Sequence, residues 1–190
     1  MNIEDEDPAI ELIHVFKSYA KPVLKDISLK IARGSVVGYI GANGAGKSTT
    51  VKILTGLITH FRLVVNVLGK DFRENTLELK KKIGYIPENA ALYEMLTPVE
   101  YLHFIGGLYG LAEEVLADRI HKMLRIFGMQ EVLHQRMDGF SKGMKQKVLI
   151  VSALLHDPEI IFMDEPLTGL DANAVILLKE GISGLKQQGK

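Results

Sequence analysis

The run Gly41-Ala42-Asn43-Gly44-Ala45-Gly46-Lys47-Ser48 meets every fixed position of the pattern G-x-x-x-x-G-K-[ST]. Few short patterns constrain a fold as tightly, because this one works only between a strand and a helix. The flanking residues agree. Val36-Val37-Gly38-Tyr39-Ile40 is a continuous apolar run of strand length, the kind covered on both faces in a parallel sheet. A helix is predicted from about Gly46 to Leu57, with Val51, Leu54 and Leu57 on its inner face.

The chemistry follows from residue type. Glycines at 41, 44 and 46 let the backbone curl so that successive N–H groups, with those of Asn43, Ala45 and Thr49, face phosphate oxygens. The helix N-terminus behind them adds partial positive charge. Lys47 brings a full charge to the β- and γ-phosphates, and Ser48 offers its hydroxyl to Mg²⁺. A glycine-rich turn that binds nothing would leave this lysine, serine and context unexplained. The segment from Gly41 to Thr49 therefore predicts a nucleoside triphosphate with magnesium.

The composition narrows the setting. A length of 190 residues fits one domain, or one with a small inserted lobe. Lys+Arg and Asp+Glu balance at 23 each, so the net charge gives no nucleic-acid footprint, and none is expected. The absence of cysteine removes disulfide, zinc-thiolate and thiol-nucleophile chemistry. Apolar runs such as Val148 to Val151 are far shorter than the roughly 20 residues a spanning helix needs. The acidic start, with Glu4, Asp5, Glu6 and Asp7, reads as a solvated tail rather than a secretory signal. A cytosolic protein is expected.

Periodicity organises the rest. Ile10 to Phe16, Ser28 to Ile31, Leu63 to Leu68 and Ile83 to Pro87 read as strands. Thr97-Pro98-Val99-Glu100 carries a capping box with proline at the first helical position. That helix continues through Leu102, Ile105 and Tyr109 to Gly110. A second places Leu116, Ile120, Met123, Leu124 and Phe127 on one face and stops at Gly128. The section from about Asn89 to Phe140 is thus a mainly helical lobe inside an α/β framework. A helix near Lys142–His156, a strand Ile160–Met163 and a helix near Ala172–Gln187 follow, the last with Val175, Leu178, Ile182 and Leu185 as its buried stripe. Strands alternating with helices predict a parallel sheet with crossovers.

The strand Ile160–Met163 ends abruptly in Asp164 and Glu165. Ligands of open parallel sheets lie at the carboxyl ends of strands, so both carboxylates are expected near the phosphates. Asp164 is assigned to Mg²⁺ and its water shell, and Glu165 to polarising the attacking water.

Phe140-Ser141-Lys142-Gly143-Met144-Lys145-Gln146 makes the reading specific. Here the chain resembles the ATP-binding subunits of ATP-binding-cassette (ABC) transporters, over nearly its whole length. The segment stands where that family carries leucine-serine-glycine-glycine-glutamine. Ser141 and Gly143 are retained, while Phe140, Lys142 and Met144 depart from it, a form like that of the ABC-2 exporter type. The resemblance implies a P-loop NTPase core with an N-terminal antiparallel β portion and the inserted helical lobe, all one domain over residues 1–190. Ser141 and Gly143 would grip the γ-phosphate bound by a second subunit. Tyr19 takes the place of the aromatic that stacks on adenine, although a core tyrosine remains the other reading. Glu88 stands for the glutamine that reaches metal-bound water, and Asp171 for the residue coupling the two subunits, or simply for a helix cap.

Two departures matter. His60-Phe61-Arg62-Leu63 puts apolar residues where the family has a Pro-x-x-Gly turn. The chain also stops at Lys190, before the strand and histidine switch of the family, and none of His14, His60, His103, His121, His134 or His156 stands in that place. Turnover below that of a longer form is expected. By resemblance, a homodimer or heterodimer of such subunits sandwiches two ATP molecules and drives a separately encoded membrane permease from the cytoplasmic face, outward by the exporter-like signature. Two other readings stay open: a cassette that binds ATP with little turnover, and a soluble ABC ATPase not coupled to a membrane.

Overall fold

The computed structural model describes residues 8–88 and 92–190. The acidic tail and the expected start of the helical lobe at Asn89 lie outside them. The chain divides into two compact units, one formed by residues before Gly84 with Leu185–Lys190, the other by Gly84–Gly184.

In the first unit, β1 (Ile10–Ser18), β2 (Pro22–Ile31), β3 (Arg62–Val67) and β4 (Lys70–Asp71) form an antiparallel sheet ordered β2-β1-β3-β4. Alternation places Ile10, Leu12, Val15, Leu24, Val65 and Val67 on its buried face. Bulges interrupt both ladders of β1. His14 and Asp26 take left-handed conformations there, with φ of 51° and 61°, and their side chains bond each other. The sheet reaches into the departing stretch: Arg62 pairs with Phe16, and Leu63 adopts φ 71°, a left-handed conformation unusual for leucine.

Helix α1 (Lys47–Leu54) is shorter than its pattern suggests. Gly56, at φ 69°, turns the chain immediately after the Thr55 cap, so Leu57 is exposed and Thr50, Ile53 and Leu54 form the buried face. The short helix α2 (Thr76–Lys80) buries Leu79.

One expectation is corrected. Val36–Ile40 forms no strand among the described residues, and Ile40 is 92% exposed. An apolar run becomes a buried strand only with ladder partners on its edges and cover on its faces. The ladders of the first unit are taken by β1 to β4, and this segment has none.

The second unit is built around helices. Strand β5 (Ile83–Ile86) pairs with β6 (Ile160–Met163). Helices α3 (Pro98–Leu108), α4 (Glu113–Ile126) and α5 (Lys142–Leu154) bury Leu102, Leu116, Ile120, Leu124, Val148 and Ile150 in one cluster, joined by Leu178 of α6 (Ala172–Gln187). Along α6 the burial is narrower than its pattern suggests, with Ala174 and Leu178 the buried residues. The capping box of α3 is formed: Glu100 N–H donates to Thr97 Oγ1 at 3.2 Å, and Thr97 N–H donates to Glu100 Oε2 at 2.9 Å. Those bonds hold the Glu100 carboxyl below the usual range. Thr97→Ala is expected to cost about 1 kcal/mol. Urea unfolding checks this, and an unchanged midpoint would speak against the cap.

Candidate functional site

The phosphate loop lies in the first unit. An Ala45 N–H to Ala42 carbonyl bond of 3.1 Å closes a tight turn, and Gly44 and Gly46 take φ of 80° and 91°. Gly46 is the N-cap of α1 and supplies no side-chain cap. The first helical N–H groups, from Lys47, Ser48 and Thr49, have no intrahelical acceptor and stay available to an anion. The φ of 91° favours glycine at 46, and a Cβ there would also crowd the Val23 carbonyl oxygen at 3.3 Å and require Leu24 to move. Thr50, buried behind the loop, donates through its hydroxyl to the Gly46 carbonyl at 3.1 Å.

Lys47 folds back over the loop, its ammonium donating to the carbonyls of Gly41 at 2.5 Å and Ala42 at 2.9 Å. Gly41, Asn43, Gly44, Ala45 and the Ser48 side face solvent, and Thr49 is half-buried. In the same unit, Tyr19 is 58% exposed at the β1–β2 turn, so the core-tyrosine reading does not apply.

The carboxylates and the signature segment lie in the second unit, where contacts tie them together. Asp164 follows β6, and its N–H donates to the Ile86 carbonyl at 2.8 Å. The Tyr85 phenol on β5 is pushed up by burial and by the Asp164 charge. Glu165 has φ 50°, a strained conformation for glutamate, held by the Thr168 N–H bond to its carbonyl. Glu88 is exposed beyond β5.

Ser141 is the N-cap of α5, accepting from Met144 N–H at 3.2 Å. The first turn of α5 presses on the loop after β6: a Cβ on Gly143 would lie 2.2 Å from the Gly169 carbonyl oxygen. Buried Gln146 donates to the Pro166 carbonyl at 3.3 Å. Lys147 pairs with Asp171 at 2.7 Å, while Asp171 Oδ1 accepts from Ala174 N–H and caps α6. Lys147 and that cap hold the Asp171 carboxyl below its usual range, so the tie is complete at neutral pH and is lost only as pH falls through the lowered pKa. Both sequence readings of Asp171 place it in this loop, and its capping role is seen directly. Lys147 had no sequence signal, because its partner lies in a loop more than twenty residues onward.

A family model described as ABC transporter matches residues 24–168. The chain belongs to that family. It is 41% identical over 168 residues to the ABC transporter ATP-binding protein NatA of Bacillus subtilis, covering 88% of this chain and 68% of NatA. Similarity to the linearmycin resistance ATP-binding protein LnrL of the same organism is 36% over 177 residues, covering 93% of this chain and 57% of LnrL. A solved structure of an ATP-binding subunit of an ABC transporter superposes with TM-score 0.88 at 38% identity, covering 95% of this chain and 76% of that one. The fold is therefore a P-loop NTPase of the ABC class, whose members are ATPases serving ATP-driven transport.

The donor set fits an ATP–Mg²⁺ complex. The open N–H groups and the Lys47 ammonium of the first unit suit phosphate, and the exposed Ser48 hydroxyl beside them is a hard oxygen donor of the kind magnesium prefers.

Proposed function

We propose that this chain is a single ATP-binding cassette, with a helical lobe at about residues 89–140, that hydrolyses ATP as one half of a subunit pair. In this reading the energy moves a separately encoded permease at the cytoplasmic face of a membrane. The observation that carries it is the phosphate loop: a glycine-capped helix start with open N–H groups beneath a lysine ammonium bonded only to loop carbonyls among the described residues. The similarity to a linearmycin resistance ATP-binding protein supports an outward direction.

Each residue has a task that its chemistry suits. Lys47 and the N–H groups of the Gly41–Thr49 loop hold the phosphates, and Tyr19 stacks on the base. Ser48 on the first unit, and Asp164 with Glu88 on the second, are assigned to magnesium from the sequence, and the ion would offset phosphate charge. Glu165 accepts the proton of the attacking water. Ser141 and the N–H groups behind it close on the γ-phosphate held by the partner copy, and Asp171 couples the pair.

Glu165→Gln keeps size and hydrogen bonding but removes the base. Phosphate release is expected to fall about 100-fold or more, with ATP affinity retained. A release rate equal to the parent would overturn the assignment of Glu165.

A further inference from the structure

Lys17 carries a role that the nucleotide motifs do not account for. It stands near the end of β1, two residues before Tyr19 in the β1–β2 turn. Its ammonium lies 4.9 Å from the centroid of the Tyr19 ring and donates to the His60 carbonyl at 2.6 Å. It pairs with no carboxylate among the described residues. His60 belongs to the connection that leads from α1 to β3, in the stretch that departs from the family pattern. The lysine therefore joins the hairpin that presents Tyr19 to the segment emerging from the helix behind the phosphate loop.

From this juxtaposition we infer that Lys17 is a positioning residue for base recognition, holding the Tyr19 ring from one face so that a purine stacks on the other. This deepens the ATP-binding reading above and rests on it. Two effects act together. The His60 carbonyl fixes the ammonium, and the fixed ammonium restrains the ring, so less order is lost when a base arrives. A cation on one face also draws on the ring's negative quadrupole, leaving the opposite face better matched to the electron-rich face of a purine. Tyr19 is 58% exposed, which leaves most of the residue open to a ligand.

The test compares two probes by calorimetry at fixed magnesium: ATP, which carries a base, and inorganic tripolyphosphate, which does not. Lys17→Met is expected to weaken ATP about three- to five-fold while tripolyphosphate binding stays as in the parent. Lys17→Arg, which keeps a cation able to sit over the ring, is expected to restore ATP affinity. Tyr19→Ala should weaken ATP at least as much as Lys17→Met, again sparing tripolyphosphate. Parent-like ATP binding by Lys17→Met overturns the proposal. So does an equal loss of both probes, which would mean that Lys17 serves the fold. Tighter ATP binding by Lys17→Met would show that the lysine shields the ring, and also overturns it. If the parent binds tripolyphosphate and ATP equally, and Tyr19→Ala changes nothing, base stacking fails while the phosphate loop stands. If the parent binds neither, the ATP-binding reading fails and takes this inference with it.

Discussion

Lys47→Ala is expected to weaken Mg-ATP binding about 100-fold, the loss of one or two charge-assisted hydrogen bonds at roughly 1.5–3 kcal/mol each. The ammonium already sits over the loop, bonded to Gly41 and Ala42 carbonyls, and needs only a side-chain swing to reach phosphate oxygens. The variant should fold normally. Lys47 is the first residue of α1, where alanine is at least as good a helix former. Calorimetric titration measures the affinity, and circular dichroism confirms the helix. Affinity equal to the parent would remove the phosphate-loop assignment.

Gly143→Ala is expected to have the second largest effect, for a steric reason. The new methyl would stand 2.2 Å from the Gly169 carbonyl oxygen, and both sides of that contact are backbone. Relief requires the first turn of α5 to part from the loop that runs from Asp164 to Asp171. The expected cost is about 1–3 kcal/mol, or a melting point lower by roughly 2–12 °C for a chain of this size. ATP hydrolysis should fall as well, because the displaced loop carries Glu165 in its strained conformation. Gly107→Ala is the control. It lies in α3 with open space at the Cβ position, and helix propensity alone favours alanine there by about 0.5–1 kcal/mol. A Gly143→Ala variant as stable and active as the parent would show that the close approach carries no weight.

The sequence made local features visible and left long-range ones hidden. The capping box at Thr97 and the stop at Gly128 depend on neighbours a few residues away, and each stands where its pattern puts it. The glycine turn before Lys47 and the helix start there were legible for the same reason, because they form within a few residues. Val36–Ile40 was misread because an apolar run does not record whether ladder partners exist. Helix α2 was missed because five residues are too few to show a period. The left-handed residues His14, Asp26, Leu63 and Glu165 follow from bulges and loop closure, which local preference argues against. The ties from Gln146 and Lys147 to the 166–171 loop depend on tertiary approach, which spacing cannot show.

The central claim is that the Gly41–Thr49 loop is one half of a composite ATP site that a second copy completes through Ser141. It is tested most directly by the solution mass of Glu165→Gln, measured by light scattering with and without Mg-ATP. The account predicts a monomer without nucleotide and a doubled mass with it, and a return to monomer when Lys47→Ala or Ser141→Arg is added. A mass that stays monomeric at saturating Mg-ATP, in a variant shown by calorimetry to bind it, would contradict the account.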